Sequence, residues 1–243
     1  MIDIHCHLLP GLDDGAKTLD ESLALAHALV ADGVTRVVAT PHWTACGRFV
    51  NPCARIEASA AAVAGALREC RIPLELFSAS EVQLTADLPD MLGRGDVALL
   101  GHSDGFDLFL LELPDALVPA GTERLVRVLL DMSVRPILVH PERNKAVMDN
   151  PERLRALMEM GCLTQVTAGA ILGHFGARAL RTTRALMDND WVHAVASDAH
   201  NLRARRPCMK EARTRIAEAY GSARADRLTK IQPAKFLSGN AAH

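Results

Sequence analysis

The chain opens Met1-Ile2-Asp3-Ile4-His5-Cys6-His7-Leu8-Leu9-Pro10-Gly11-Leu12-Asp13-Asp14-Gly15. A short apolar run leads straight into His5-x-His7. Residues two apart on a strand point to the same face, so a strand ending here sets two imidazoles side by side, able to grip one metal ion. The loop after them adds Asp13 and Asp14, hard oxygen ligands, and Gly15, which permits a tight turn. Cys6, between the histidines, is expected to point the other way, into a core. A bare His-x-His is a weak signal, and its weight depends on what the rest of the chain places alongside it.

Outward from this strand, helical and β-rich stretches alternate. Leu19, Leu23, Ala26, Leu29 and Val30 recur at helical spacing, Thr18-x-x-Glu21 reads as a capping box, and Asp32-Gly33 ends the helix. Residues 36–40 are β-rich and stop at Pro41-His42. Asn51-Pro52 opens an alanine-rich helix to about Cys70. Residues 73–78 form a third strand, followed by Ser80-Glu81. A short helix within 87–95, a short strand at 97–100 and a turn at 101–105 lead to a strand at 106–113, with Glu112 near its end. A helix at 122–132 precedes a strand at 136–139, which stops at His140-Pro141-Glu142-Arg143. A helix from Asn150-Pro151 to Met160, a strand at 162–167, a helix at 176–189 and a strand at 193–196 follow, the last stopping at Ser197-Asp198-Ala199-His200. Two helices, about 207–220 and 223–231, close the chain. About seven strands alternating with helices argue for parallel strands joined by crossover helices. The strands are nearly continuous apolar runs, as expected where both faces are covered. One compact βα barrel forming a single domain over residues 1–243 is the economical reading, and an open doubly wound sheet is the alternative.

Composition fits this size and class. A chain of 243 residues suits an α/β barrel, and 49% hydrophobic residues can fill a sizeable core. A formal net charge of -2 gives no global basic field for nucleic acid, and 4% aromatics argue against a base-stacking surface. Cys6, Cys46, Cys53, Cys70, Cys162 and Cys208 form no C-x-x-C pair and read as reduced thiols in a cytosol. None sits in a C-x5-R phosphate loop, which disfavours thiol catalysis. The start shows no basic segment followed by an apolar run, and no apolar stretch approaches the roughly 20 residues needed to cross a bilayer, so a cytoplasmic protein is expected.

Residues able to bind metal fall just past the ends of successive strands: His5 and His7, His42, Glu81, Glu112, His140, then Asp198 and His200. In βα barrels this end carries the active site, so the assignment sends all of them to one mouth. Mixed imidazole and carboxylate donors without a cysteine set suit Mn²⁺, Fe²⁺ or Zn²⁺ in a catalytic site. The donors exceed the needs of one ion, which implies two or three, with Glu81 best placed to bridge. Clustered metals lower the pKa of a shared water and clamp both oxygens of an in-line displacement, equipment for hydrolysing phosphate esters. Arg143 and Arg205 follow two of these residues closely, and a guanidinium fork holds phosphate oxygens in pairs. His27 and His193 read as packing residues, and His102 and His174 as loop residues. Trp43 would either line the entrance or be buried.

The motifs MIDIHCHLLPGLDDGAK at 1–17, ATPH at 39–42, SE at 80–81, LLEL at 110–113, VHPER at 139–143 and ASDAHNL at 196–202 are those of a known group. The chain resembles the PHP (polymerase and histidinol phosphatase) superfamily and, within it, the manganese-dependent bacterial protein-tyrosine phosphatases of the CpsB/YwqE type. The resemblance implies a distorted seven-stranded (β/α)7 TIM-like barrel with three divalent ions, Mn²⁺ foremost. His5, His7, Glu81 and Asp198 would hold one; Glu81, Glu112 and His140 the second; Asp14, His42 and His200 the third, with Asp14 favoured over Asp13. It assigns Arg143 and Arg205 to the phosphoryl group, with Arg206 as an alternative to Arg205, and allows Asp198 and His200 to pass a proton. The implied substrate is the phosphotyrosine tail of a bacterial autokinase controlling capsule or exopolysaccharide export. A homo-oligomer is compatible with this. Two other readings stay open: a small-molecule phosphatase of the histidinol-phosphate kind or a phosphodiesterase, and a silent metal-binding regulator of the export kinase.

Overall fold

The computed structural model describes residues 1–44 and 47–243; Cys46 lies outside the described residues. Its strands are β1 (Ile2–Cys6), β2 (Arg36–Ala39), β3 (His42–Trp43), β4 (Glu75–Ser78), β5 (Glu81–Gln83), β6 (Gly101–Ser103), β7 (Phe106–Glu112), β8 (Val134–Val139), β9 (Leu163–Thr167) and β10 (Ala194–Ala196). These make seven staves, because β2 and β3 are one stave broken at Thr40-Pro41, and β4 and β5 another broken at Ala79-Ser80. The lower halves pair in the order β1-β2-β4, and the upper halves join the order β10-β9-β8-β7-β5-β3. Every stave pairing is parallel; β6 folds back antiparallel on β7. The ring closes where β1 meets the end of β10. Cys6 bridges Ala199, His7 N–H donates to Ala199 O at 2.9 Å, and Asp198 N–H donates to His5 O at 2.8 Å.

The helices are α1 (Leu19–Ala31), α2 (Cys53–Glu69), α3 (Leu88–Gly93), α4 (Thr122–Asp131), α5 (Lys145–Asp149), α6 (Arg155–Glu159), α7 (Ala168–Ile171), α8 (Gly176–Asp188), α9 (Met209–Tyr220), α10 (Ser222–Asp226) and α11 (Gln232–Phe236). Strand alternation sorts the core into two layers. On β7, Leu108 and Leu110 face the barrel interior with Ile4, Val38, Phe77, Ile137 and Ala194, while Phe109 and Leu111 face the helices. The same parity aims Glu112 inward at the top of β7. Phe236 of α11 plugs the interior from below. Gly101 is where that plug presses closest: a Cβ there would lie 2.3 Å from Phe236 O, so only glycine fits.

One irregularity decides what β1 presents. Asp3 pairs with Val37 and Cys6 with Ala39, so two residues, Ile4 and His5, oppose Val38 alone. Such a bulge bends the strand and re-aims side chains. Ile4 packs inside the barrel, and His5, its neighbour, also turns inward, while Cys6 packs among the helices as expected. Without the extra residue, Ile4 and His5 would point to opposite faces.

Several sequence expectations are corrected. Residues 97–100 form no strand; the strand is Gly101–Ser103, within what reads as a turn, and only Asp104-Gly105 make the turn. The glycine at 101 answers close packing, not chain reversal. The closing helix at 223–231 is instead α10, a π-turn at Arg227–Ile231 and α11. Helices α5 and α7 were not anticipated. Thr18 Oγ1 caps Glu21 N–H at 3.2 Å, but Glu21 returns its carboxylate to Lys17 N–H at 2.7 Å. Leu19 and His27 face solvent, so α1 buries Leu25, Ala26 and Leu29. Trp43 is buried among the helices and does not line the entrance.

Candidate metal centre

The broken staves build the mouth. Pro41 has no N–H to continue the ladder, and beyond the break His42 and Glu81 stand side by side as register partners on β3 and β5. Glu112 ends β7, His140 follows β8, and Asp198 and His200 follow β10. All converge on the first histidines. His5, His7 and Glu81 are fully buried, and Asp198, His200 and His140 nearly so. Asp14 is the most open of the set, with 45% of its side chain exposed.

The distances describe a cage of acceptors. His5 Nε2 and His7 Nε2 lie 3.2 Å apart. Glu81 Oε2 is 3.2 Å from the first and 3.3 Å from the second, and Asp198 Oδ1 is 3.5 and 3.3 Å from them. Glu81 reaches His140 Nε2 with its other oxygen, Oε1, at 2.8 Å, while Oε2 also lies 2.8 Å from His42 Nδ1. Glu112 stands 3.8 Å from both His42 and His140. Asp14 Oδ1 lies 3.5 Å from His42 Nε2 and 3.3 Å from His200 Nε2. All nine residues proposed as ligands from the sequence therefore fall into clusters of donors close enough to share an ion. His7 lies close to the Asp14, His42 and His200 group as well as to His5 and Asp198.

Asp13 and Asp14 divide their work. Asp13 accepts from His7 Nδ1 at 2.6 Å, from Gly15 N–H at 2.8 Å and from His42 N–H at 3.1 Å. It is committed to orienting His7, and Asp14 faces the open cluster. Gly15 is needed here because a Cβ would lie 2.2 Å from His7 O. Gln165, unforeseen as a site residue, does for His5 what Asp13 does for His7: its Oε1 lies 2.9 Å from His5 Nδ1. The signal was a polar residue at the inward parity of β9, between Leu163 and Thr167. Glu142 was also missed. Fully buried, it accepts from Thr167 N–H at 2.8 Å and Thr167 Oγ1 at 2.7 Å, tying the His140–Arg143 turn to the end of β9.

With Nδ1–H of each imidazole donated to Gln165 and Asp13, both Nε2 atoms carry lone pairs. These face one another and the buried oxygens Glu81 Oε2 and Asp198 Oδ1, neither of which accepts a hydrogen bond in good geometry among the described residues. Four acceptor atoms converging in a buried space call for a cation, so the residues fit a divalent metal. The electrostatics agree. Burial opposes the charged form of His5, but Glu81 and Asp198 outweigh it and raise its pKa. Burial likewise opposes ionisation of Glu81 and Asp198, yet His5 leads the partners that hold both carboxyls well below their usual range. His200 is lowered to about 4 by burial and by His7, which leaves it a neutral donor. Burial, then Glu81, pushes Glu112 up to about 7. At neutral pH Asp198 is thereby held ionised and His200 neutral, with His200 Nδ1 3.1 Å from Asp198 O. His140 and Asp198 also take the left-handed conformation, with φ of 37° and 52°. Strain of this kind is held in place only when the surroundings over-determine it.

Two arginines close the rim. Arg143 Nη1 and Arg205 Nη2 both donate to Asp198 Oδ2, and Arg205 Nη1 lies 2.8 Å from His200 Nε2. Arg206 is exposed, and it is Arg205 that reaches the cluster. Among the described residues, Cys53, Cys70, Cys162 and Cys208 take no part in a donor cluster, and His102 pairs with Asp107 at the surface.

The family model for capsular polysaccharide synthesis, CpsB/CapC, matches residues 1–238. The chain belongs to the CpsB/CapC family. Among relatives of this family, tyrosine-protein phosphatase YwqE of Bacillus subtilis (strain 168) is 33% identical over 222 residues, covering 91% of this chain and 86% of the relative. A crystal structure of YwqE from Bacillus subtilis and CpsB from Streptococcus pneumoniae, described as unique metal-dependent tyrosine phosphatases, matches with a TM-score of 0.91. It is 30% identical and covers 100% of this chain and 97% of that one. At the level of fold alone, the chain resembles the phosphotriesterase homology protein of Escherichia coli, with a TM-score of 0.61 and 13% identity over 97% of this chain and 98% of that one. The CpsB/CapC assignment, the parallel barrel and the buried donor cage agree with one another.

Proposed function

We propose that this chain is a single-domain, metal-dependent phosphomonoester hydrolase acting on phosphotyrosine in protein. Its substrate would be the tyrosine-rich tail of a bacterial autokinase that controls capsule or exopolysaccharide export. The observation that carries the reading is the buried facing pair of His5 and His7 Nε2 atoms beside Glu81 and Asp198, in a family that contains metal-dependent tyrosine phosphatases. His5, His7, Asp14, His42, Glu81, Glu112, His140, Asp198 and His200 would hold up to three divalent ions, Mn²⁺ foremost with Fe²⁺ or Zn²⁺ as alternatives. When bound, such ions supply an activated water and Lewis-acid stabilisation of the phosphoryl group.

The chain's own residues account for the rest. Arg143 and Arg205 present guanidinium forks at the rim and would orient the phosphoryl oxygens as charge shifts to the leaving group. Asp198 holds both guanidiniums from below. Gln165 and Asp13 fix the tautomers of His5 and His7. The leaving phenolate has a conjugate acid of pKa about 10. It needs little proton donation, which suits a site whose Asp198 is ionised and whose His200 is neutral. Among the described residues no helix is long and apolar enough to cross a membrane. The proposed kinase-tail substrate would place the reaction in the cytoplasm.

The test is metal-free protein restored with Mn²⁺ and assayed on a phosphotyrosine peptide, histidinol phosphate and a phosphodiester. Preference for the peptide is expected. Equal or greater turnover of histidinol phosphate would overturn the tyrosine reading, and no turnover of any substrate with metal bound would point to a regulator.

A further inference from the structure

An exposed phenyl ring stands on one of the two rim arginines. Phe175 is 37% exposed, and its ring centroid lies 4.9 Å from Arg143 Cζ. The ring is seated deliberately. It lies over Gly169 of α7, where a Cβ would come within 3.0 Å of Phe175 Cε2, so the missing side chain makes the seat. Gly173 and Gly176, with φ of +82° and +86°, turn the chain on either side of it, and His174 N–H closes the turn on Gly169 O at 2.9 Å. Helix α8, which begins beside Phe175, packs against the Pro141–Arg143 turn. The ring thus belongs to the barrel's metal end, while Trp43, the aromatic residue singled out from the sequence, is buried elsewhere.

We propose that Phe175 is a specificity-determining residue that receives the aryl ring of the substrate. This rests on the phosphatase reading. A phosphoryl group held by Arg143 carries its ester substituent past the ring standing on that same guanidinium. A flat aryl group can lie against an exposed phenyl face or edge, which an alkyl chain does less well. The neighbouring Arg143 guanidinium, already in contact with the ring, fixes its position before substrate arrives. An isolated exposed phenylalanine needs no explanation. One seated on a glycine and stacked on a phosphate-binding arginine has a defined place beside the substrate.

Titration calorimetry of the Mn²⁺-loaded protein with inorganic phosphate, methylphosphonate and phenylphosphonate tests this directly. The wild-type chain should bind phenylphosphonate about 3- to 10-fold tighter than methylphosphonate. Phe175→Ala should erase that preference and leave phosphate and methylphosphonate unchanged; Phe175→Tyr should keep it. A preference that survives in Phe175→Ala refutes the assignment. So does a parallel loss of phosphate affinity in Phe175→Ala and Phe175→Leu, which would make the ring only a prop for Arg143. Failure of the wild type to bind any of the three, or to turn over a phosphotyrosine peptide, would instead sink the phosphatase reading beneath it.

Discussion

Replacing Asp13 by Ala separates the two acids of the opening loop. Asp13 is buried and its carboxylate serves three donors: His7 Nδ1, Gly15 N–H and His42 N–H. Removing it leaves those donors without their acceptor, at about 1–3 kcal/mol for each buried group left unpaired. They share one carboxylate and one short loop, so the losses do not add; a destabilisation of about 3 kcal/mol is expected for metal-free protein in urea. The larger consequence is on His7. Freed of Asp13, its ring can rotate or shift its proton to Nε2, the atom that faces His5, Glu81 and Asp198. Loss of such an orienting partner typically weakens metal binding 10–100-fold. That corresponds to about 1.4–2.7 kcal/mol. The assay is phosphotyrosine-peptide hydrolysis as a function of Mn²⁺ concentration. Half-saturation should rise by that factor, with the plateau largely recovered at high metal. Asp14→Ala, which removes a proposed ligand, should lower the plateau itself. An unchanged half-saturation in Asp13→Ala, or a plateau lost despite full metal content, would refute the division of roles.

Other expectations are as definite. Arg143→Ala and Arg205→Ala should lower kcat by about 10²–10³-fold with metal content retained, in line with the loss of a charge-stabilising donor; Arg206→Ala should behave as wild type in the same assay. Gly15→Ala should lose metal and stability together, because the new Cβ meets His7 O at 2.2 Å; metal analysis and thermal unfolding would show it. Burial lowers His193 to about 4 from 6.5, so between those values the unfolded chain binds more protons. Its contribution to stability is therefore full above about pH 6.5 and lost as pH falls toward 4. Urea titrations of metal-free His193→Asn should show a shallower acid loss than wild type, and equal slopes would contradict the buried neutral imidazole.

Much of this molecule was readable along the chain. The alternation of apolar strand and amphipathic helix is local chemistry, and it was enough for a parallel barrel. Each proposed ligand sits just beyond a strand, and parallel strands send all such ends to one mouth. The order of the motifs therefore carried the composition of the site. Asp14 over Asp13 could be favoured from position, but the reason, three donors converging on Asp13, is spatial.

What only the tertiary structure decided are matters of fine pairing and of contacts between distant segments. The bulge opposite Val38, which turns both Ile4 and His5 inward, depends on how β1 registers against β2. Gln165 is one of three polar residues on β9, with Thr164 and Thr167, until 160 positions of chain are folded to bring it to His5. Arg205 and Arg206 are alike in sequence, and only the course of the turn aims one at Asp198. Gly101 looked like a turn and proved to be a place where Phe236 comes too close for any side chain. Residue type and period determine which elements form and which groups are available; register, close approach and ring orientation arise from packing, where residues far apart in sequence exclude one another's alternatives.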